Sequence, residues 1–322
     1  MAILAGLTAQ SLPAQTDLPP VEGTYVDIDI PGCGSDSPND INNHGVIVGS
    51  CGLSGPSFIR YPDGTSKLIE FPGADSTYVL AINEAGTIVG SYWVGDISHG
   101  FLQTSDGDTT FFDVPGAIRT YPRSLNNAGT VCGSYETPEY HGFVRLADGQ
   151  LFTFDIPGAV FIAPESVNDA GVVVGWWQDS QFQYHSFYWT QSSGVVMVNL
   201  PGMQSSQFLG INRWGMILGY DDDEPQGAFL LWRGNIKTFP SLTVLDPSLN
   251  NRGIIVGSLF DAPFFFIGAL ALPNGVMGTI IPPDAINTFP VAINDQNVVV
   301  GWYERSGRSP GFMFTPTTPG WQ

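Results

Sequence analysis

The chain is patterned by short runs in which apolar and polar residues alternate, and each run is stopped by glycine, proline or asparagine. Tyr25-Val-Asp-Ile-Asp-Ile-Pro-Gly32 is the first. The same segment returns as Leu68-Ile-Glu-Phe-Pro-Gly73, Thr110-Phe-Phe-Asp-Val-Pro-Gly116, Phe152-Thr-Phe-Asp-Ile-Pro-Gly158 and Met197-Val-Asn-Leu-Pro-Gly202. A period of two bounded by turn residues predicts a strand. No stretch carries the spacing of an amphipathic helix, so the expected fold is all-β.

A second motif organises the whole chain. An aliphatic residue and an asparagine enter a short turn; a glycine, a β-branched run and a second glycine follow, as in Ile82-Asn-Glu-Ala-Gly-Thr-Ile-Val-Gly90. The asparagines are Asn42, Asn83, Asn126, Asn168, Asn212, Asn250 and Asn294, spaced by 41, 43, 42, 44, 38 and 44 residues. A period of about 40–45 residues with four strands is that of a propeller blade. In one repeat, strand A is Tyr78–Asn83 and strand B is Thr87–Trp93. Strand C opens at His99-Gly100-Phe101, and strand D is Thr109–Val114 after the Asp106-Gly107 turn.

The seventh repeat ends after its C strand, Gly311–Phe314, and the chain begins with a spare D strand, Tyr25–Ile30. Pairing the two closes a ring and removes the sheet edges that a linear array would expose. The expected architecture is a closed seven-bladed β-propeller over residues 23–322, preceded by an apolar arm at residues 1–22. Small residues before the aliphatic–asparagine pair (Ala81, Ser124, Ser166, Gly210) suit seven inner strands crowding one axis. Phe58, Phe101, Phe143, Phe187, Phe229 and Phe312 share one repeat position and are expected to fill the space between blades.

The arm, with Ile3, Leu4, Leu7 and Leu12, reads as a secretory-signal remnant or an assembly strand. It lacks a basic leading segment, and its apolar core is short. Composition then narrows the partners. With 30 acidic against 11 basic residues and a net charge of −19, the surface repels phosphate backbones and anionic membranes. No apolar run reaches the length of a membrane span. Cys33 and Cys51 flank the A–B hairpin of blade 1, where they are placed to form a disulfide, which fits an oxidising compartment. Cys132 stands where other repeats carry valine and is expected in the core.

The triplets His99-Gly-Phe, His141-Gly-Phe and His185-Ser-Phe, each behind an Asn-x-x-Gly-x-Val-x-Gly hairpin, resemble the bacterial HAF-type extracellular repeat family. The resemblance covers nearly the whole chain beyond residue 24. It implies a repeat β fold and an exported or surface location, and it supplies no catalytic residue. Repeats 1, 5, 6 and 7 lack the histidine, and repeat 6, with Phe264-Phe265-Phe266, departs most.

Candidate chemistry is sparse. The three triplet histidines sit on separate blades and are expected to make structural hydrogen bonds. The recurring asparagine is expected to bond the backbone of its own turn. Asp221, Asp222, Asp223 and Glu224 form the densest acidic cluster; it is read as a solvated loop, with calcium as the alternative. Trp93, Trp176, Trp177 and Trp302 end B strands and could stack on sugar rings if presented together. Glu165, Arg123 and Asp40 lie near the inner strands, where acidic pairs from different blades could meet. No motif names a nucleophile, a cofactor or a resident metal. The leading expectation is therefore a non-enzymatic, exported propeller that self-assembles through its arm into an extracellular fibre or surface layer. A carbohydrate-binding module, with polysaccharide as its candidate partner, comes second, and a polysaccharide hydrolase or lyase third.

Overall fold

The computed structural model describes residues 18–52, 54–223, 226–240, 242–261 and 265–321. The arm residues Ile3, Leu4, Leu7 and Leu12 lie outside the described residues. Seven four-stranded antiparallel sheets form the blades of a β-propeller, and no helix is present among the described residues. Blade 2 is typical: Ser76–Ile82 (A), Ile88–Val94 (B), Ile97–Gln103 (C) and Thr109–Phe112 (D). Blade 7 joins the two ends of the chain. Its D strand is Gly23–Ile28, paired antiparallel with the C strand Gly311–Pro316.

Just before that closing strand, Pro20 bridges Thr279 on the outer strand of blade 6, in parallel. The Val21 N–H donates to the Thr279 carbonyl, and Thr279 returns a bond to Pro19. The N-terminal segment thus clamps blade 6 and then completes blade 7. Val21 is buried with Trp321 in the same core cluster, so both chain ends close one joint.

Two local features recur from blade to blade. The first is a bulge. In six blades strand A slips register by one residue opposite strand B: at Pro38/Asp40, Val79/Ala81, Pro122/Ser124, Pro164/Ser166, Phe208/Gly210 and Pro290/Ala292. The skipped residue is left unpaired in the A–B ladder. The second is the motif's second glycine, which lies against that bulge. A Cβ on Gly90 would sit 1.9 Å from the Tyr78 carbonyl oxygen, and one on Gly133 2.1 Å from that of Tyr121. In blades 1 to 5 the repeated phenylalanine covers the same glycine from strand C; these five and Phe312 are fully buried. The glycine is therefore required by close approach of two chains and not by its φ angle.

The recurring asparagine does more than serve its own turn. Its Oδ1 accepts the N–H four residues on, as from Thr130 to Asn126 at 2.8 Å. Its Nδ2 donates to the backbone carbonyl of the asparagine in the next blade. The bonds run from Asn42 to Asn83, and on through Asn126, Asn168, Asn212, Asn250 and Asn294 back to Asn42, at 2.9–3.3 Å. Seven buried amides thus form a closed girdle around the axis at the A–B turn end.

Candidate functional site

The bulges place one residue per blade on the axis. Asn39, Leu80, Arg123, Glu165, Leu209, Pro247 and Val291, each three before its asparagine, all line a central funnel of about 390 Å³. Of the small residues next to them, expected to face the axis, Ser248 and Ala292 line the funnel, whereas Ser124 and Ser166 tie blades together. Ser124 Oγ accepts from the Val167 N–H and Ser166 Oγ from Ile211, each at 3.3 Å. Asp40 takes the same place in blade 1: Oδ2 accepts from Ile82 at 2.9 Å and Oδ1 from Ile41 at 2.8 Å. It also lines the funnel. Burial pushes its carboxyl up to about 7, and the charge of Glu84 adds to the rise against the two N–H bonds.

Across the funnel, Arg123 Nε meets Glu165 Oε2 at 2.8 Å. The other carboxylate oxygen accepts the Trp176 indole N–H at 3.0 Å. Trp176 is in turn stacked on Phe161, with Tyr184 edge-on, so the indole is fixed from two sides. Gln207 and Tyr220 complete this wall. One wall is therefore charged, amide-bearing and aromatic. The bulge residues of blades 5 to 7 are Leu209, Pro247 and Val291, with Ser248 and Ala292 beside the last two. Two carboxyls thus share one cavity in different surroundings. Asp40 exchanges its proton near neutrality, while Glu165 is held by a guanidinium and an indole. That is the arrangement by which a pair of acids divides proton-giving from proton-taking.

The structure places the remaining candidates elsewhere. Of the four tryptophans only Trp176 reaches the funnel. Trp177 stacks on His185 at 4.3 Å, Trp302 on Phe289 at 4.1 Å, and Trp93 lies against Tyr121 with Arg119 over its ring. Adjacent tryptophans on a strand point to opposite faces, which separates Trp176 from Trp177. His99 bonds Asp113 at 2.9 Å, His141 bonds Asp155, and His185 bonds Asp179 at 3.0 Å. Each ring is also stacked on a B-strand aromatic. Cys33 and Cys51 are joined as a disulfide. Cys132 is free and fully buried, which pushes its thiol pKa up. Asp223 accepts the Gln204 and Ser205 N–H groups, and Asp221 accepts that of Asp223. These carboxylates are spent on backbone N–H groups of their own loop and of the neighbouring connection; Glu224 lies outside the described residues. Among the described residues no group of three or more His, Cys, Asp or Glu could hold a metal ion.

No protein-family model matches the sequence, and no curated protein matches it. Solved structures do. A catalytically inactive histidine-to-alanine variant of virginiamycin B lyase from Staphylococcus aureus, solved with quinupristin, is 13% identical. The match covers 91% of this chain and 99% of that one with a TM-score of 0.63. A prolyl endopeptidase is 11% identical over 88% of this chain and 50% of that one, at 0.63. The propeller domain of the trilobed protease from Pyrococcus furiosus, described as having an open velcro topology, is 10% identical over 88% and 94%, at 0.60. At these identities the likeness establishes the seven-bladed fold alone. It also corrects the expectation of a non-enzymatic chain. Propellers matching nearly its full length include a lyase, so a recurrent fold without a catalytic motif is no argument against catalysis.

Proposed function

We propose that the funnel is the active site of a carbohydrate-cleaving enzyme working by general acid–base hydrolysis. The observation that carries this is the shared cavity: Asp40 on one side, and the Arg123–Glu165–Trp176 cluster on the other. Protonated Asp40 would donate to the leaving oxygen as the glycosidic bond breaks. Glu165 would take a proton from the water that adds to the sugar, so hydrolysis consumes one water and the protons balance. Trp176 offers an indole face to a sugar ring. No histidine lines the funnel, so the chemistry proposed falls to carboxylates. This parts the chain from the lyase, whose inactive form is a histidine variant.

Screening the purified full-length chain against oligosaccharides and aryl glycosides, with products separated by chromatography, tests the reading. Turnover is expected to fall as pH rises through about 7, where Asp40 loses its proton. Glu165→Gln and Asp40→Asn are each expected to lower kcat by about 100-fold or more while the fold is kept. Turnover that ignores both substitutions would place the chemistry elsewhere.

Assembly through the arm is a second proposal, supported by one observation: residues 19–21 already add to the edge of blade 6, the manner in which strands recruit a partner. Export to an oxidising compartment belongs with it, supported by the Cys33–Cys51 disulfide. Sedimentation of the full chain beside one lacking residues 2–17 decides the matter: equal sizes would end it.

A further inference from the structure

The funnel's wall is divided around its circumference, and the division names a class of ligand. Because the bulges hand one residue per blade to the axis, the order of blades is the order of chemistry around the ring. Blades 3 and 4 contribute Arg123 and Glu165, joined at 2.8 Å, with Trp176 fixed behind them. The bulge residues of blades 5, 6 and 7 are Leu209, Pro247 and Val291, with Ala292 beside the last; Gln207 and Tyr220 of blade 5 and Ser248 of blade 6 stand next to them, and Leu80 is the lone apolar residue of blade 2. These three are only half-buried, as are Ile211 and Leu249 of the same strands, whereas Leu242 and Ile293 are buried. A cavity whose apolar residues gather on one side and whose charged residues gather on the other is matched by a molecule with one half of each kind. The polar arc suits hydroxyls: a carboxylate and a glutamine accept them, a guanidinium and amides donate, and the indole packs on ring C–H bonds.

The route of entry is set by topology. Seven blades surround the cavity, and at the turn end the axis is girdled by the seven asparagine amides. The cavity beyond the girdle, about 210 Å³, shares no lining residue with the funnel. An internal stretch of a long polymer would have to thread that girdle; a small molecule or a chain end would not.

We propose that the funnel binds a glycoside of an apolar alcohol end-on, as a small molecule or at a chain terminus. The sugar lies against Arg123, Glu165 and Trp176, and the aglycone lies against Leu209, Pro247 and Val291. This rests on the reading above for the choice of cavity, but not for its chemistry.

Calorimetry with thio-linked glycosides, which resist hydrolysis, separates binding from turnover. Octyl β-thioglucoside below its micellar concentration is expected to bind the full-length chain about tenfold or more tighter than methyl β-thioglucoside, through the alkyl area removed from water. Leu209→Asn and Val291→Asn are expected to erase that advantage, so that each variant binds the two glycosides alike. Leu209→Met, which keeps the site apolar, is expected to retain it and guards against misfolding as the cause. Equal binding of the two glycosides, binding of neither, or an advantage that survives both asparagine variants would overturn the proposal. Turnover of an O-linked aryl glucoside, followed in parallel, reports on Asp40 and Glu165 alone. Selective binding without turnover leaves this inference standing and removes the catalytic one; turnover with no preference for the apolar half does the reverse.

Discussion

A single asparagine per blade carries two loads, and only one shows in the sequence. The amide oxygen serves its own turn, a use apparent from residue type and position. The amide nitrogen reaches a carbonyl 38 to 44 residues onward, or 252 back at the closure. No local pattern encodes such a partner. Asn297 shows how far the role extends. It takes a positive φ of 62° in a turn where Gly86, Gly129 and Gly171 stand in other blades. Its side chain accepts from Asn250 and donates to the Trp321 carbonyl, tying the C-terminus to the girdle; glycine could adopt the turn but not make the tie. Since Asn126 is buried and bonded on both sides, Asn126→Ala strands the Thr130 N–H and leaves the Asn168 carbonyl with the Gly171 N–H alone. A loss of about 2–4 kcal/mol is expected in denaturant unfolding. His99→Ala, which breaks a partly exposed pair with Asp113, is expected to cost about 1 kcal/mol or less. If the two variants unfold alike, the girdle is not a principal tie between blades.

At the scale of the strand, the bulge decides what the blade presents. Blade number, strand order and ring closure were legible because they are written in turn residues at a fixed period. The funnel was legible only in part. Arg123, Glu165 and Asp40 could be suspected from their nearness to the inner strands. A regular strand, however, would bring the small residues Ser124 and Ser166 to the axis on the alternation that hides Arg123 and Glu165. One unpaired residue reverses that choice, and nothing in the alternation announces it. Trp176 was obscured in the same way, as one of four similar aromatics that alternation sends to different faces. The second glycine is the bulge's signature in hindsight, because it is small where the bulged carbonyl presses in. Gly133→Ala puts a methyl group into the Tyr121 carbonyl and the Phe143 ring. It is expected to cost about 1–3 kcal/mol or more and to disturb the Arg123–Glu165 pair. Gly64, in an exposed turn at φ 88° with open space around it, tests conformational strain alone, and Gly64→Ala is expected to cost about 1–2 kcal/mol. Equal losses would mean that the close approach is relieved by relaxation of strand A.

At the scale of the molecule, a funnel built from seven blades exists only while the ring is closed, and closure rests on six residues from the far end of the chain. Gly23–Ile28 pairs along all of Gly311–Pro316. Tyr25 packs on Phe314 at 4.7 Å, and its hydroxyl accepts the Ile281 N–H at 2.9 Å, so the closing strand also grips blade 6. Asp27 accepts from Tyr303 at 3.0 Å, and Ile28 is buried. Five residues on, the Cys33–Cys51 disulfide fixes the connection into blade 1 to the hairpin that carries Asp40. Deleting residues 1–28 would bare the edge of the last C strand together with the core beneath it, the condition under which strands recruit other chains. Such a protein is expected to lose its single cooperative melting transition and to aggregate. A synthetic peptide spanning residues 22–31, added in trans, is expected to restore both the transition and the solubility, because the missing strand contributes a ladder and side chains and needs no covalent link to do so. Cooperative melting of the truncated chain without the peptide would show instead that six blades and the asparagine girdle hold the ring, and that the closing strand is dispensable to the funnel.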